Sequence, residues 1–184
     1  MNSWQDRGPT THIDGSLIFK TKQDTENEKA VARLVSEKFN CVTHAIADMS
    51  PVDWVFLRHD RVVGVGELKI HRGHFKEHPT AILNLRKWLA LLLAGQGMAV
   101  PPIYVSQWSD WTGWVDVRKL DAHHVNVRMI RCKPRGTDSP SNYEPCIMIP
   151  LDQFQEVVPY GFKEMEARNK NELAEHLHTQ HPIA

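Results

Sequence analysis

The sequence predicts an α/β domain with a mixed central sheet flanked by helices, and three observations support this fold class. The periodic segments follow one another as a helix, three strands, a second helix and then further strands. That order is typical of a sheet covered by helices. The 184 residues suffice for one domain with a substantial core. No internal repeat and no convincing linker divides the chain.

The N-terminal part predicts a polar arm followed by a helix. Residues 1–24 form the arm, with a short strand or turn at residues 17–19. Thr25 and Glu28 have the spacing of a capping box, which favours a helix that begins at Thr25. The apolar stripe of this helix consists of Val31, Leu34, Val35 and Phe39.

Three apolar runs of β-type composition follow this helix. Residues 41–47, 52–57 and 62–70 are each predicted to form a strand. A polar turn at residues 58–61 joins the last two strands into a hairpin.

The second helix is predicted to begin at Pro79, because proline suits a first helical turn. It continues to Ala94 and ends at the glycines of residues 95–97. Its second half is apolar nearly all round, which predicts that it packs into the core. The later predicted elements are strands at residues 103–108, 114–117, 125–130 and 146–149, a loop at 133–144, a helical turn at 151–154 and a polar helix at 162–178. The main domain is therefore assigned to residues 25–160, with a C-terminal helical extension at 161–184.

The composition excludes several classes of protein. Lysine and arginine together number 22, as do aspartate and glutamate, so the formal net charge is zero. Nucleic-acid-binding domains are often basic overall, so any surface that binds a phosphate backbone must here be a local patch. The longest apolar run, residues 88–94, is too short to span a bilayer. The three cysteines lack C-x-x-C spacing, which predicts reduced thiols and a cytoplasmic location.

The candidate functional residues are Asp53, Glu67 and Lys69, which lie in the two strands of the predicted hairpin. A hairpin folded about Asp60 sets Asp53 directly across from Glu67. Residues that face each other across two strands have Cβ atoms about 4.5–5.5 Å apart, so the two carboxylates can share one cation. Lys69 is two residues after Glu67 and therefore points to the same face.

Two acids and an ammonium group on an apolar hairpin are typical of a metal-dependent hydrolase of phosphodiesters. A hard divalent ion held by carboxylates relieves charge on the phosphate and provides a bound water as nucleophile. Asp53, Glu67 and the backbone carbonyl of Leu68 would ligate Mg²⁺ or Mn²⁺ and leave positions for water. Lys69 would either accept a proton from the attacking water or neutralise charge on the phosphate.

Glu28 is a further candidate, because it continues the buried stripe of the first helix. The alternative reading is that Glu28 only closes the capping box with Thr25. For Asp53, the alternative to a metal ligand is an ordinary acid at a turn or strand edge. For Glu67 and Lys69, the alternative to a catalytic role is a solvated ion pair.

The arrangement of Asp53, Glu67 and Lys69 between two helices resembles the PD-(D/E)xK nuclease superfamily. This resemblance implies a restriction-endonuclease-like α-β-β-β-α-β core and a metal-dependent nuclease. Asp53 and Glu67 would bind the metal, Lys69 would serve the water, and Glu28 would assist. The chain departs from the signature where Val52 separates Pro51 from Asp53.

The resemblance is strongest to uncharacterised proteins of phage and prophage genomes, over about residues 26–156. Its motifs are Val52-Asp53-Trp54, Glu67-Leu68-Lys69, Pro79-Thr80 through Lys87-Trp88, and residues 144–150. It implies a role in phage or prophage DNA metabolism inside a bacterial host cell. DNA is the implied substrate, whether linear, branched or single-stranded. A homodimer is also implied, since many superfamily members cut two strands as dimers.

Two sets of residues are candidates for contacts with nucleic acid. Thr80, Asn84 and Lys87 would form a polar stripe on the second helix, with Lys87 either on a phosphate or as an ordinary surface lysine. Arg72 follows the Glu67 strand, and Arg131 and Arg135 belong to a basic run beside the predicted loop. The tryptophans Trp108, Trp111 and Trp114 have two readings, as platforms for unpaired bases or as core packing.

A second class of function fits the same sequence. The chain would then be a non-catalytic module that keeps a nuclease-like fold and binds nucleic acid or protein. The complete set of two acids and a lysine favours the enzyme, because a module without catalysis has no need of all three.

Overall fold

The computed structural model describes residues 9–11, 17–19, 22–46, 50–71, 73–120, 125–132 and 142–158. Its two helices are α1 (Lys22–Phe39) and α2 (Leu85–Met98). The strands are β1 (Pro9–Thr11), β2 (Leu17–Phe19), β3 (Val42–Ala45), β4 (Trp54–Arg58), β5 (Arg61–Ile70), β6 (Thr80–Asn84), β7 (Pro102–Gln107), β8 (Thr112–Asp116), β9 (Asn126–Cys132), β10 (Asn142–Pro150) and β11 (Gln155–Val158).

The central sheet has six strands in the order β11-β8-β7-β5-β4-β3. Strands β5 and β7 run parallel, whereas the other neighbours are antiparallel, so the sheet is mixed. The core elements follow the order α1, β3, β4, β5, α2, β7, with β6 inserted before α2. This confirms the predicted α/β class and its α-β-β-β-α-β core.

The two helices cover opposite faces of the central sheet. Side chains alternate along a strand, so Trp54 and Phe56 point to one face and Glu67 to the other. Val31 and Val35 of α1 pack against the face that carries Trp54 and Phe56. Leu91, Tyr104 and Val65 belong to the cluster on the face of Glu67, which α2 covers; there Leu91 is fully buried.

A second sheet of three strands, in the order β6-β10-β9, packs into the α2 side of the core. Ala81, Leu83, Ile147 and Ile149 are its buried residues in that cluster. Strand β9 forms the outer edge of this sheet. The short strands β1 and β2 pair with each other.

The prediction of a helix from Pro79 was wrong. Residues Thr80–Asn84 form β6, and α2 begins at Leu85. The side chains of β6 alternate between buried and half-buried, with Ala81 and Leu83 on the core side. Asn84 caps α2, since its Oδ1 accepts a hydrogen bond from the amide of Arg86 at 2.8 Å.

The first helix and the predicted loop at 133–144 have other bounds in the structure, and one strand was missed. The first helix begins at Lys22, so Thr25 lies inside α1 and is not its N-cap. Residues 142–144, predicted as loop, belong to β10. Strand β11 was not predicted. The predicted helix at 162–178 lies outside the described residues.

Among the described helices, none is long and apolar enough to cross a membrane.

Candidate active site

The hairpin of β4 and β5 brings the two predicted acids to one place. His59 and Asp60 form its two-residue turn, both with left-handed backbone at φ 49° and 58°. Such a turn matches the twist of the strands that it joins. Beyond the turn, Arg58 pairs with Arg61 and Leu57 with Val62.

A β-bulge at Val63 sets the register of the hairpin near the acids. Phe56 pairs with Gly64, although Leu57 pairs with Val62, so Val63 is an extra residue of β5. Trp54 then pairs with Gly66, and the next positions in this register are Asp53 and Glu67. The observed pairing of the strands ends at Trp54 and Gly66, so a direct pairing of Asp53 with Glu67 stays a prediction, and the bulge at Val63 was not predicted.

Phe56 lies directly on the backbone of β5 opposite the acid-bearing face. A Cβ added at Gly66 would lie 2.6 Å from the Phe56 ring, and one at Gly64 would lie 2.8 Å from it. Only glycine permits this approach, since a real Cβ needs more space. The two glycines let α1 and Phe56 close one face of the strand while Glu67 occupies the other.

Lys87 joins the two acids from α2. Its Nζ lies 3.1 Å from Asp53 Oδ1 and 3.0 Å from Glu67 Oε2. Asp53 Oδ2 accepts a hydrogen bond from the amide of Leu68 at 3.0 Å. The amide of Asp53 in turn donates to the carbonyl of Gly66 at 3.0 Å. One shared ammonium group thus contacts both carboxylates, and a backbone amide of β5 also holds the carboxylate of Asp53.

Glu67 has a strongly shifted pKa. The residue is only 7% exposed. Burial first, and then the negative charge of Asp53, raise the pKa of Glu67 to about 8, although Lys87 acts in the opposite direction. Burial alone would lower the pKa of Lys87, but Glu67 and Asp53 outweigh it and raise that pKa.

Lys69 lies on the same face of β5 as Glu67 but is exposed. Within the described part of the chain, no hydrogen bond or ion pair is seen for it. Next on this face, His71 stacks on Trp108 with ring centroids 4.0 Å apart. Burial, and then the charges of Lys69 and His78, lower the pKa of His71 to about 4, so its imidazole is neutral at pH 7.

Glu28 lies half-buried on α1, the helix that packs on the face opposite to Glu67. Since Thr25 is not the N-cap, the capping-box reading of Glu28 is wrong. Its part in the site stays a prediction.

The candidates for nucleic-acid contact are dispersed. Thr80 and Asn84 are strand residues, so the predicted helical stripe with Lys87 does not exist. The side-chain amide of Asn84 donates to Glu144 of β10. Arg131 is exposed on β9, whereas Arg72 and Arg135 lie outside the described residues.

The tryptophans serve packing. Trp108 and Trp111 are 3% and 7% exposed and lie in the core cluster of α2. Trp114 packs against the cluster of α1. The reading of Trp108 and Trp111 as base platforms is therefore wrong.

The described residues contain no group of three or more histidine, cysteine, aspartate or glutamate side chains that converge on one point. Two carboxylates are within the number that Mg²⁺ commonly takes while it keeps several waters. An unpaired buried carboxylate is costly, and in the structure Lys87 is the cationic partner of Glu67.

Comparison with known proteins gives the family of the chain. Residues 16–157 match the model of a family described as "Phage putative PDDEXK endonuclease". The chain belongs to this family. It is a nuclease of the PDDEXK type, as the sequence resemblance predicted, and it is associated with phages.

One solved structure with a similar fold is the Holliday junction resolvase Hjc of Archaeoglobus fulgidus, an archaeal hyperthermophile. It has 10% sequence identity and a TM-score of 0.44, and the match covers 71% of this chain and 91% of that chain. A comparison with curated proteins gives no match.

Sequence reasoning missed the contact of Lys87 with both acids. It placed Lys87 on a phosphate, because the boundary between β6 and α2 was not recognised. The alternation of Ala81 and Leu83 was the signal that could have moved the helix start to Leu85 and Lys87 into its first turn.

Proposed function

We propose that this PDDEXK protein is a metal-dependent deoxyribonuclease that hydrolyses phosphodiester bonds in phage or prophage DNA. The observation that carries the proposal is the pair of carboxylates, Asp53 and Glu67, which shares the Lys87 ammonium at 3.0–3.1 Å. One of these acids is buried on the face of a sheet, where a structural role offers no compensating gain in packing.

Asp53 and Glu67 would hold Mg²⁺ or Mn²⁺, with the backbone carbonyl of Leu68 as a third ligand. The amide of Leu68 is directed to Asp53, and the carbonyl of a strand residue points to the same side as its amide. The bound ion would supply charge relief for the phosphate and a water of lowered pKa. Side chains of this protein would supply the proton transfer and the phosphate contacts.

Two lysines and one glutamate would assist. Lys69, exposed on the same face as Glu67, would accept a proton from the attacking water or neutralise the phosphate. Lys87 would favour the ionised form of the carboxylates and contact a phosphate oxygen from the first turn of α2. Glu28 would assist from α1.

Further contacts with DNA would come from the basic and polar residues around the site, namely Thr80, Asn84, Arg72, Arg131 and Arg135. Of these, Asn84 and Arg131 have the best support. Asn84 lies three residues before Lys87, and the side chain of Arg131 is exposed on the outer strand β9.

The test is incubation of the full chain with linear, branched and single-stranded DNA, each with Mg²⁺, Mn²⁺ or chelator. We expect cleavage that needs the metal and that disappears in Glu67→Gln and Asp53→Asn. The matched control is Glu156→Gln, an acid of the same sheet on β11 that lies far from Asp53 in the strand order. Cleavage in chelator, or a fully active Glu67→Gln, would contradict the proposal.

Calorimetry separates the enzyme from a non-catalytic module. The enzyme should bind Mn²⁺ with a stoichiometry of at least one ion, and Asp53→Asn should weaken this binding. No cleavage of any DNA or RNA together with no metal binding would favour the module with a nuclease-like fold.

A further inference from the structure

We propose that the outer part of the three-stranded sheet is an arm that binds the groove of duplex DNA beside the bond to be cleaved. This arm, here called the ribbon, consists of residues 127–131 of β9 and 143–145 of β10, which pair with each other. The inference rests on the proposed function, because that function supplies the position of the cleaved bond.

Strand β9 is exposed on both faces, unlike a strand that only covers a core. Val127, Met129 and Arg131 point to one face, and Arg128 points to the other. Val127 is 55% and Met129 58% exposed, and both arginines are exposed as well. A strand in an ordinary sheet buries one face. Both faces of the ribbon are therefore accessible to a binding partner.

The apolar residues of the ribbon are contiguous. Tyr143 lies directly across from Arg131, and Pro145 lies across from Met129. Tyr143 is 65% exposed, more than any other large apolar or aromatic side chain of the ribbon. A contiguous exposed patch of this kind usually marks an interaction site.

The ribbon carries more positive than negative charge. It has two arginines, both on β9, and one acid, Glu144, whose carboxylate accepts a hydrogen bond from Asn84. Arg131 shares the face of Val127 and Met129, so a ribbon that lies with this face in a groove brings the Arg131 guanidinium against the duplex, while the exposed Arg128 on the other face extends to a flanking phosphate. The major groove of B-DNA admits a two-stranded ribbon. Val127 and Met129 would then lie against base edges, where apolar side chains contact thymine methyl groups.

The base of the ribbon adjoins the candidate site. Cys146 of β10 pairs with Asn84, and the side chain of Asn84 donates to Glu144. Asn84 is also the N-cap of α2, whose first turn carries Lys87. From Cys146 to the end of β10 at Asn142, the ribbon extends about 13 Å at roughly 3.3 Å per residue. A duplex held there would lie within a few base pairs of Asp53 and Glu67.

The patch also faces the side of the molecule on which the acids lie. Ile147 shares a face of the sheet with Pro145 and Tyr143, and it is buried in the same cluster as Leu91 of α2. On the outer half of that face Met129 and Tyr143 are exposed.

A second copy of the chain fits the ribbon less well. Pairing of two β9 edges would bury Val127 and Met129, but it would also bring four arginines together without an acid on the strand. Like charges on neighbouring strands destabilise a sheet. Phosphates on both walls of a groove instead neutralise them.

The test compares the affinity of the full chain for a fluorescent 30-base-pair duplex and for one of its strands, in chelator, over a range of salt concentrations. We expect the variant Arg128→Ala/Arg131→Ala to bind the duplex at least about tenfold more weakly. The dependence of log affinity on log salt should also fall by about 0.9 for each lost phosphate contact. The variant Arg128→Lys/Arg131→Lys should recover most of the affinity.

The matched control removes the same charge elsewhere. Lys38 and Arg61 are exposed, at the end of α1 and at the hairpin turn far from Glu67. Their double alanine variant should bind the duplex within about twofold of the unmodified chain. An arginine variant of the ribbon with unchanged affinity and unchanged salt dependence would overturn the inference.

Two further outcomes are informative. If Met129→Ser/Tyr143→Ser abolishes a dimer in sedimentation and leaves duplex affinity unchanged, the ribbon joins two copies and the DNA assignment is wrong. If the ribbon variants lose duplex binding but the unmodified chain cleaves no DNA with any metal, the ribbon stands and the proposed nuclease activity fails. Glu67→Gln should retain duplex binding while it loses cleavage.

Discussion

The two larger sheets of this molecule distribute polar and apolar side chains in opposite ways. The central six-stranded sheet buries an acid, Glu67, together with Ser106, Gln107 and Thr112. The three-stranded sheet instead exposes Val127, Met129 and Tyr143 on its outer half. Buried polar groups and exposed apolar patches are the informative departures from ordinary packing.

The difference indicates a division of tasks between the sheets. The buried carboxylate of Glu67 in the central sheet stands in a low-dielectric environment, where it interacts strongly with a nearby cation such as Lys87. The outer half of the three-stranded sheet instead exposes arginines and apolar side chains, as the proposed ribbon requires. The four predictions below test whether this division is real, in order of decreasing effect.

The largest effect is expected for loss of either acid. Asp53→Asn and Glu67→Gln should each reduce DNA cleavage at least about 10³-fold, because a bound metal supplies several kcal/mol of stabilisation to the transition state. Single-turnover cleavage at saturating DNA measures this effect. An Asp152→Asn control, on the 3₁₀ turn before β11, should keep full activity. Loss below tenfold in Glu67→Gln would remove the central sheet from catalysis.

The second prediction concerns the pH dependence of stability in chelator. The pKa of Glu67 is about 8 in the folded chain and 4.5 ordinarily. Between these values the folded state binds more protons than the unfolded state. The free energy of unfolding should therefore fall as pH rises from about 4.5 to about 8, by up to about 5 kcal/mol at 1.36 kcal/mol per pKa unit.

Glu67→Gln isolates this effect in urea denaturation at pH 5, 6.5, 8 and 9. The lowered pKa of His71 acts in the opposite direction, since it makes stability rise with pH between about 4 and 6.5. His71 is present in both proteins, so its effect cancels in the difference. We expect Glu67→Gln to gain stability relative to the unmodified chain as pH rises. Parallel curves would show that Glu67 is not perturbed.

The third prediction compares the two lysines. Lys87→Met leaves Asp53 and Glu67 without their shared ammonium group, and should cost about 1–3 kcal/mol of stability at pH 8 in chelator. Lys69→Met, at an exposed position of the same face, should change stability by less than about 0.5 kcal/mol. Thermal and urea unfolding of both variants measure the difference. Equal costs would contradict the contacts of Lys87 with the acids.

The smallest effect is expected on the ribbon. Met129→Thr should change the free energy of unfolding by less than about 0.5 kcal/mol, because the side chain is mostly exposed. Ile147→Ala, in the buried half of the same sheet, should cost about 2–5 kcal/mol. A large loss in Met129→Thr would mean that the patch serves stability and not binding.

The sequence was sufficient for the parts of the fold that follow one clear period. The stripe of Val31 and Val35 predicted α1, and the alternation around Glu67 predicted the hairpin and the common face of the acids. The start of α2 was missed because the apolar positions within residues 79–94 satisfy both the helical and the strand period over short windows. Tertiary pairing of β6 with β10 decides the boundary at Leu85.

The rest of the site depends on long-range contacts. No local pattern shows that Lys87 lies 3.0 Å from Glu67, since the two belong to different elements 20 residues apart. The exposure of Val127 and Met129 could not be predicted either, because their alternation with polar residues is typical of a half-buried strand. Whether such a face is buried depends on the elements that pack against it, and in the described structure Val127 and Met129 stay exposed.

The extra residue at Val63 has a consequence for how this hairpin tolerates change in length. If the register set by the two-residue turn continued without a bulge, Asp53 would pair with Gly66. Glu67 would then point to the face of the sheet that carries Phe56. The inserted valine changes the count by one and returns the acid to its partner's side. Single insertions or deletions between the two acids are therefore expected to abolish metal binding unless a compensating irregularity arises, whereas removal of Val63 itself leaves every observed pairing intact.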